Sequence, residues 1–255
     1  MDTTPRPFAP PDPHGALTSS DASRPDAATA PTPVGRVLGV LAVRPLLILA
    51  LGLGLLAAGR SLMFANALVV LVDVVALIVV GRAMRAEGRR LRDLFAPWRW
   101  VDLAWGALLL VILVVGFLAA NFLATLIVHG GAPPVPSSAP DVPLWAGLVA
   151  VLIAPLTIAV AEEAVYRGYA QPRLGRRIGS LGALVVVALV FGLQHVGVAL
   201  TSGPDVAAKV LTTLLAGLLL GGLWLRMRRL VPLVLAHWGL DLLFLGLPTL
   251  LLALT

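Results

Sequence analysis

The chain contains no cysteine and little charge. The absence of cysteine from its 255 residues excludes a disulfide framework, a thiolate nucleophile and thiolate metal ligands. Only 13% of the residues are charged, against about 25% in a typical soluble domain. Hydrophobic residues make up 59%, and the mean hydropathy is +0.96. This balance favours a membrane protein over a soluble domain.

Long apolar runs predict an all-α, polytopic transmembrane helix bundle. A helix needs about 20 apolar residues to cross a bilayer, and about seven such spans (six to eight) are predicted. They lie at roughly 39–59, 61–81, 101–128, 144–164, 180–199, 206–225 and 231–252. Residues 1–33 hold 8 of the 20 prolines and are predicted to be a disordered tail. Residues 34–128 are then N-terminal membrane helices, and 144–252 form the segment with readable motifs.

Arginine is distributed unevenly between the predicted loops. Alternate non-membrane segments carry 17 and 2 basic residues, if Arg44 is counted with the N-terminal segment and Lys209 with the fifth loop. The bias of basic residues toward the cytoplasm predicts a cytoplasmic N-terminus and an external C-terminus. It also explains the net charge of +6 without nucleic acid as a partner. A composition rich in Ala, Gly, Leu and Arg indicates a GC-rich bacterial genome, so the expected location is the bacterial cell membrane.

Few ionisable residues fall inside the predicted spans, and such residues are candidate functional sites. Those considered are Asp73, Glu162, Glu163, His195, His237 and Asp241. Polar groups in hydrocarbon must find one another or water. The residues in the later spans are therefore expected to converge on one buried site, whereas Asp73 receives no role.

The stretch "AEEAVYR" contains two adjacent glutamates that need not share a role. Glu163 and Arg167 are four residues apart on one helix face and are predicted to pair. Glu162 is rotated by about 100° from its neighbour and is free to face the bundle interior. The alternative is that both glutamates simply form an ion-pair network at the helix end.

Two further motifs carry imidazoles. His195 follows Phe191 by four residues in "FGLQHVG", and His237 precedes Asp241 by four in "AHWGLDLL". Each also fits a plain structural reading, as a packed histidine or a His–Asp hydrogen bond. A helical hairpin turning near residues 175–179 would bring Glu162 and His195 to the same depth. No H-E-x-x-H, rhomboid-like, presenilin-like, Walker or Rossmann pattern is present.

These three motifs resemble a known family, the CPBP intramembrane proteases (the CAAX protease and bacteriocin-processing, or Abi, family), which includes the type II CAAX prenyl endopeptidases. The family pattern is E-E-x-x-x-R, F-x-x-x-H and H-x-x-x-N/D on successive helices, and the similarity covers roughly residues 144–245. The resemblance implies an intramembrane endopeptidase acting on a peptide or membrane-protein substrate near the cytoplasmic face. Its implied catalytic residues are Glu162 as general base, Glu163 and Arg167 as its support, His195 as a water-orienting or proton-transfer group, and His237 with Asp241 at the oxyanion.

A divalent metal is a further implication of the resemblance. Ionised Asp241 cannot donate a hydrogen bond to an oxyanion as asparagine could, which favours a metal role for this position. The expected zinc ligands are Glu162, His195, His237 and Asp241, although a metal-free mechanism stays open. The alternatives to a peptidase are a non-catalytic immunity or scaffold protein of the same fold, or a proton-coupled transporter.

Overall fold

All regular structure in the described part of the chain is helical. The computed structural model describes residues 32–132 and 141–255, so the predicted N-terminal tail lies outside the described residues except for its last two positions. The α-helices are α1 (Val34–Ala57), α2 (Ala65–Arg85), α3 (Val101–His129), α4 (Leu144–Leu152), α5 (Ala154–Glu162), α6 (Gln171–Leu193), α7 (Gly203–Met227), α8 (Leu230–Asp241) and α9 (Leu247–Ala253). The predicted all-α bundle is confirmed.

Six helical stretches in the described ranges are long and apolar enough to cross a membrane. They are Val34–Ala57, Leu62–Arg85, Val101–His129, Ala154–Val198, Gly203–Met227 and Leu230–Ala253. The second half of the predicted fourth span and nearly all of the predicted fifth span fall within Ala154–Val198, which has 45 residues. A straight helix of that length would extend about 68 Å, more than twice the roughly 30 Å hydrocarbon core of a bilayer.

The stretch Ala154–Val198 is instead divided at Gly179. This residue has φ 77° and ψ 158°, a conformation that glycine adopts without steric cost. The two arms fold back on each other. A hydrogen bond joins them, in which Gln194 Nε2 on the second arm donates to Glu162 Oε1 on the first at 2.9 Å. The predicted hairpin turn near residues 175–179 is confirmed.

The first arm of this hairpin is irregular where it carries the two glutamates. α4 and α5 are separated at Ile153 (φ −117°, ψ −53°), two residues before Pro155, whose ring and missing N–H disfavour a continuous helix. Residues Glu163–Ala170 then form a π-helix, a form that is rare and often found at functional sites. A 3₁₀ segment, Gln194–Val198, ends the second arm, and a π-helical segment, Leu242–Gly246, joins α8 to α9.

The bundle has two chemically different ends. The arginine-rich end comprises residues 86–100, 175–179 and 228–229, and the arginine-poor end comprises residues 58–61 and 199–202 and the C-termini of α3 and α9. Side-chain contacts hold each end together. At the arginine-rich end, Arg229 Nη2 donates to the Pro97 carbonyl at 3.1 Å. At the arginine-poor end, Asn66 Nδ2 on α2 donates to Thr249 Oγ1 on α9 at 2.8 Å.

Glu87 organises the arginine-rich end. Its Oε1 accepts hydrogen bonds from Thr32 Oγ1 at 2.9 Å, from Tyr169 Oη at 3.2 Å and from Arg173 Nε at 3.1 Å. Arg173 also pairs with Glu87 Oε2, and its guanidinium lies 3.8 Å from the centre of the Tyr169 ring. These contacts tie the segment after α2 to the hairpin and to Thr32, two residues before α1.

The largest hydrophobic core fills the half of the bundle next to the arginine-rich end. Its side chains include Val37, Leu41, Val80, Met84, Tyr169, Leu174, Leu230 and Leu233. Only small clusters, such as Ile48 with Val69 and Val72, occupy the other half. The outer faces remain apolar, as Phe122 and Ile127 on α3 show with exposures of 69% and 64%. Such faces suit lipid contact, and the chain is a multi-pass membrane protein.

Candidate active site

The π-helical segment places Glu163 at the centre of a buried trio. Arg167 Nη1 donates to Glu163 Oε1 at 3.0 Å, so the predicted pair is confirmed. His237 Nδ1 lies 3.0 Å from the same oxygen. A carboxylate only accepts, so Nδ1 carries the proton of that hydrogen bond. Glu163 therefore orients His237 and leaves its Nε2 facing away.

Arg167 is fixed on its other sides as well. Its Nη2 donates to the Gly217 carbonyl on α7 at 3.2 Å, and its guanidinium lies 4.5 Å from the Phe191 ring centre. Arg167 and Glu163 are both fully buried. The pair therefore joins three helices around the site, and neither side chain is free to move into the cavity.

Glu162 points in a different direction from Glu163. Its Oε1 accepts hydrogen bonds from Arg44 and from Gln194 Nε2. Its Oε2 lies 3.6 Å from His237 Nε2, which is too far for a direct hydrogen bond. The carboxylate thus has one oxygen held by the protein and one that faces the imidazole without bonding to it.

Arg44 is a site residue that the sequence interpretation missed. It was assigned to the N-terminal segment, but its side chain is fully buried inside the bundle. Arg44 Nε donates to Asp73 Oδ1 at 3.1 Å, Nη1 donates to Gln194 Oε1 at 2.9 Å, and the guanidinium pairs with both Asp73 and Glu162. The available signal was its position as the sixth residue of the first predicted span, where an arginine needs an anionic partner.

The contact with Arg44 explains why the polar side chains of Asp73 and Gln194 are buried inside the bundle. Asp73 bonds Arg44 through Oδ1 and accepts from Thr157 Oγ1 at 2.8 Å through Oδ2. Gln194 accepts from Tyr166 Oη at 2.8 Å while donating to Glu162. Asp73 is therefore a buried structural partner rather than an isolated polar group. Gln194 was overlooked because it is uncharged.

His195 and Asp241 reach the same space from the second arm and from α8. His195 Nδ1 lies 2.8 Å from the Phe191 carbonyl, which can only accept, so Nδ1 is protonated and Nε2 is left as an acceptor. Asp241 Oδ2 is 3.6 Å from His237 Nε2 and has no hydrogen-bond partner in the described part of the chain. The plain His–Asp hydrogen bond considered from the sequence is therefore not formed.

A cavity of about 130 Å³ joins these groups. It is lined by Arg44, Glu162, His195, His237 and Asp241, and also by Lys209, Asn66, Phe117 and Phe244. The predicted site residues that line it come from three separate elements, as expected. Glu163 and Arg167 lie behind it. This volume is large enough to hold several water molecules.

The position of Lys209 differs from the sequence interpretation, which placed it in the fifth loop. It lies within α7, two turns from the helix start, and lines the cavity. The described residues in and directly behind the cavity wall carry three cations and four carboxylates. The cations are Arg44, Arg167 and Lys209, and the carboxylates are Asp73, Glu162, Glu163 and Asp241. One additional positive charge, such as a proton on His237, would balance this set.

The expected zinc ligands do not form a compact group. Within residues 32–132 and 141–255, no group of three or more His, Asp or Glu side chains is arranged to hold a metal ion. Glu162 Oε1 is instead bonded to the Arg44 cation. The zinc hypothesis stays a prediction.

The comparison with known protein families agrees with this arrangement. Residues 142–243 match the family described as type II CAAX prenyl endopeptidase Rce1-like. This segment is Rce1-like. The match confirms the resemblance first drawn from the three motifs, and it spans Glu162, Glu163, Arg167, His195, His237 and Asp241. No curated protein and no solved structure matches the chain.

Proposed function

We propose that the protein is an intramembrane endopeptidase in which Glu162 activates water. The observation that carries this proposal is the state of Glu162 itself. One oxygen is held by Arg44 and Gln194, while Oε2 faces a small cavity with His237 Nε2 3.6 Å away. A water molecule in hydrogen-bond contact with both atoms would fit that separation.

In the proposed reaction, Glu162 Oε2 accepts a proton from water as the water oxygen bonds to the substrate carbonyl carbon. The resulting tetrahedral oxyanion accepts a hydrogen bond from protonated His237 Nε2, which Glu163 holds in orientation through Nδ1. The C–N bond then breaks, and the proton on Glu162 passes to the leaving amine. His195 Nε2 is available to accept a hydrogen bond from the attacking water.

Asp241 is placed to hold His237 in its protonated form. It lies one helical turn beyond His237, and its Oδ2 is 3.6 Å from the imidazole Nε2. A nearby carboxylate favours the imidazolium over the neutral ring. In this mechanism Asp241 acts through His237, and asparagine at the same position would supply a donor but no charge.

A divalent metal is a second hypothesis for the same chemistry. A metal bound by Glu162, His195, His237 and Asp241 would act as a Lewis acid on the carbonyl oxygen. The charge balance of the cavity favours a single added proton over a dication. Metal analysis of the purified protein, together with activity measured before and after chelation, separates the two hypotheses.

The substrate class is a peptide or membrane-protein segment, and the expected setting is a bacterial cell membrane. The family description names prenylated CAAX substrates, but a bacterial host need not make them. The proposed activity is therefore endoproteolysis without a prenyl requirement.

The test is a comparison of membrane peptides in cells that express the parent protein, Glu162→Gln or Glu87→Gln. Glu87→Gln makes the same chemical change outside the cavity. We expect cleavage products with the parent and with Glu87→Gln, and none with Glu162→Gln at equal expression. Identical peptide profiles for all three would refute the peptidase proposal. Loss of folded Glu162→Gln protein would instead support a structural role.

A further inference from the structure

We infer that the catalytic cavity opens at the arginine-poor end of the bundle, so that the protein takes peptide segments from the extracytoplasmic side of the membrane. The sequence prediction had placed cleavage near the cytoplasmic face. The substrate class rests on the proposed peptidase function, whereas the side of access rests on the geometry of the cavity and the distribution of arginine.

The first observation is where the cavity lining lies along each helix. Ala65 and Asn66 are the first two residues of α2, and Val198 is the last residue of the second hairpin arm. Both of these helix ends belong to the arginine-poor end. In contrast, the lining residues nearest the other end, Leu220 and His237, are each seven residues inside their helices, or about 10 Å at 1.5 Å per residue.

The second observation is that the opposite route is filled. The hydrophobic core occupies the half of the bundle between the cavity and the arginine-rich end. Tyr166 and Tyr169, one and two turns beyond Glu162, are both fully buried, and Met84 and Leu233 pack in the same core. Interiors of this kind are close-packed, so this core blocks the direct path to Glu162 from the arginine-rich end.

The third observation is a gradient of exposure. The side chains of Glu162 and His237 are 4% and 5% exposed, and that of Asp241, one turn nearer the arginine-poor end, is 18% exposed. Lys209 lines the cavity close to the start of α7 and is exposed. The accessible end of the cavity is thus its arginine-poor end.

The arginine distribution identifies which side of the membrane this is. Arg44 and Arg167 are buried inside the bundle and should not be counted with the loops. Without them, the arginine-poor end has two basic residues, Arg60 and Lys209, against 15 in the other non-membrane segments. The bias remains strong, and it places this end outside the cytoplasm.

The expected substrates are therefore peptide segments that are present on the extracytoplasmic side. They include tails and loops of membrane proteins on that face and peptides that have already been exported. Lys209 at the mouth would meet the substrate before it reaches Glu162.

The absence of cysteine allows a direct test in the full-length protein. Lys209→Cys and Phe244→Cys place single thiols on exposed residues of the cavity lining. Arg60→Cys and Arg92→Cys mark the two ends. Each variant is treated with a membrane-impermeant thiol reagent in intact cells and again after permeabilisation, and folding is checked by detergent-solubilised yield.

We expect Lys209→Cys, Phe244→Cys and Arg60→Cys to react in intact cells, and Arg92→Cys to react only after permeabilisation. Reaction of Arg92→Cys but not Arg60→Cys in intact cells would overturn the side of the membrane. Reaction of Arg60→Cys without either cavity thiol would overturn the open mouth. The labelling does not require catalysis, so a failure of the peptidase proposal would leave this result readable.

Discussion

Replacement of Arg44 by methionine is expected to destabilise the protein strongly. Arg44 is the cation shared by two buried carboxylates, Asp73 and Glu162, and it also bonds Gln194. Methionine fills a similar length of side chain but leaves both carboxylates without a positive partner. Removal of one partner from a buried ion pair typically costs about 3–5 kcal/mol.

The remaining contacts set the expected size of this loss. Without Arg44, Asp73 keeps its bond from Thr157 Oγ1 and Glu162 keeps its bond from Gln194 Nε2. Each carboxylate thus retains one neutral donor, which offsets part of its desolvation. Because both carboxylates lose the cation together, we expect a loss of about 3–5 kcal/mol in the free energy of unfolding rather than the sum of two pairs.

Unfolding in mixed detergent micelles, followed by fluorescence of the six tryptophans, measures this loss. Arg36→Met, an exposed arginine on the same helix, is the matched control and should change stability by less than about 0.5 kcal/mol. If Arg44→Met does not yield folded protein, Arg44→Lys retains the charge with fewer donors and should be intermediate.

The double variant Arg44→Met/Asp73→Asn provides the sharper criterion. It removes one of the two unpaired charges and should therefore be more stable than Arg44→Met alone. A double variant no more stable than the single one, or a single variant within about 1 kcal/mol of the parent, would refute the buried-charge reasoning.

Three further predictions follow from other parts of the structure. Gly197→Ala would place a Cβ against the Ile48 carbonyl oxygen and should lower stability by about 1–3 kcal/mol. Gly54→Ala, which has open space around it, should leave stability unchanged. Equal melting temperatures for the two variants would contradict this prediction. Burial tends to raise the pKa of Glu87, but its hydrogen bonds and its ion pair with Arg173 lower the pKa overall. Ionised Glu87 should therefore stabilise the fold above about pH 4.3, the usual pKa of a glutamate. This stabilisation should vanish as the pH falls through the lower pKa of Glu87 in the folded protein. The difference in free energy of unfolding between the parent and Glu87→Gln should therefore narrow as the pH is lowered. A difference that widens in acid would contradict this prediction. For the zinc hypothesis, the expected result is lower activity after chelation, and full activity in protein shown to hold no metal would reject it.

Much of the architecture could be predicted because it depends on local sequence. Long apolar runs indicate membrane helices whatever their neighbours, and the four-residue spacing places Glu163 beside Arg167 on one helix face. The hairpin turn was predicted from the spacing of Glu162 and His195, and Gly179 supplies the conformation that the turn requires. Local periodicity was also sufficient to place His237 and Asp241 one turn apart.

The sequence alone did not show which helices face one another. Arg44 and Glu162 are 118 residues apart, and no local spacing relates them. Their contact depends on the packing of α1 against the hairpin. The same packing brings Gln194, an uncharged residue, to the second hydrogen bond of Glu162 Oε1. The same packing fills one half of the bundle and leaves the cavity in the other. The sequence by itself therefore determined the helices and the residues available for chemistry, because these depend on hydropathy and helical period. Only the tertiary structure decided the partners of Glu162 and the end at which its cavity opens, because both arise from contacts between distant segments.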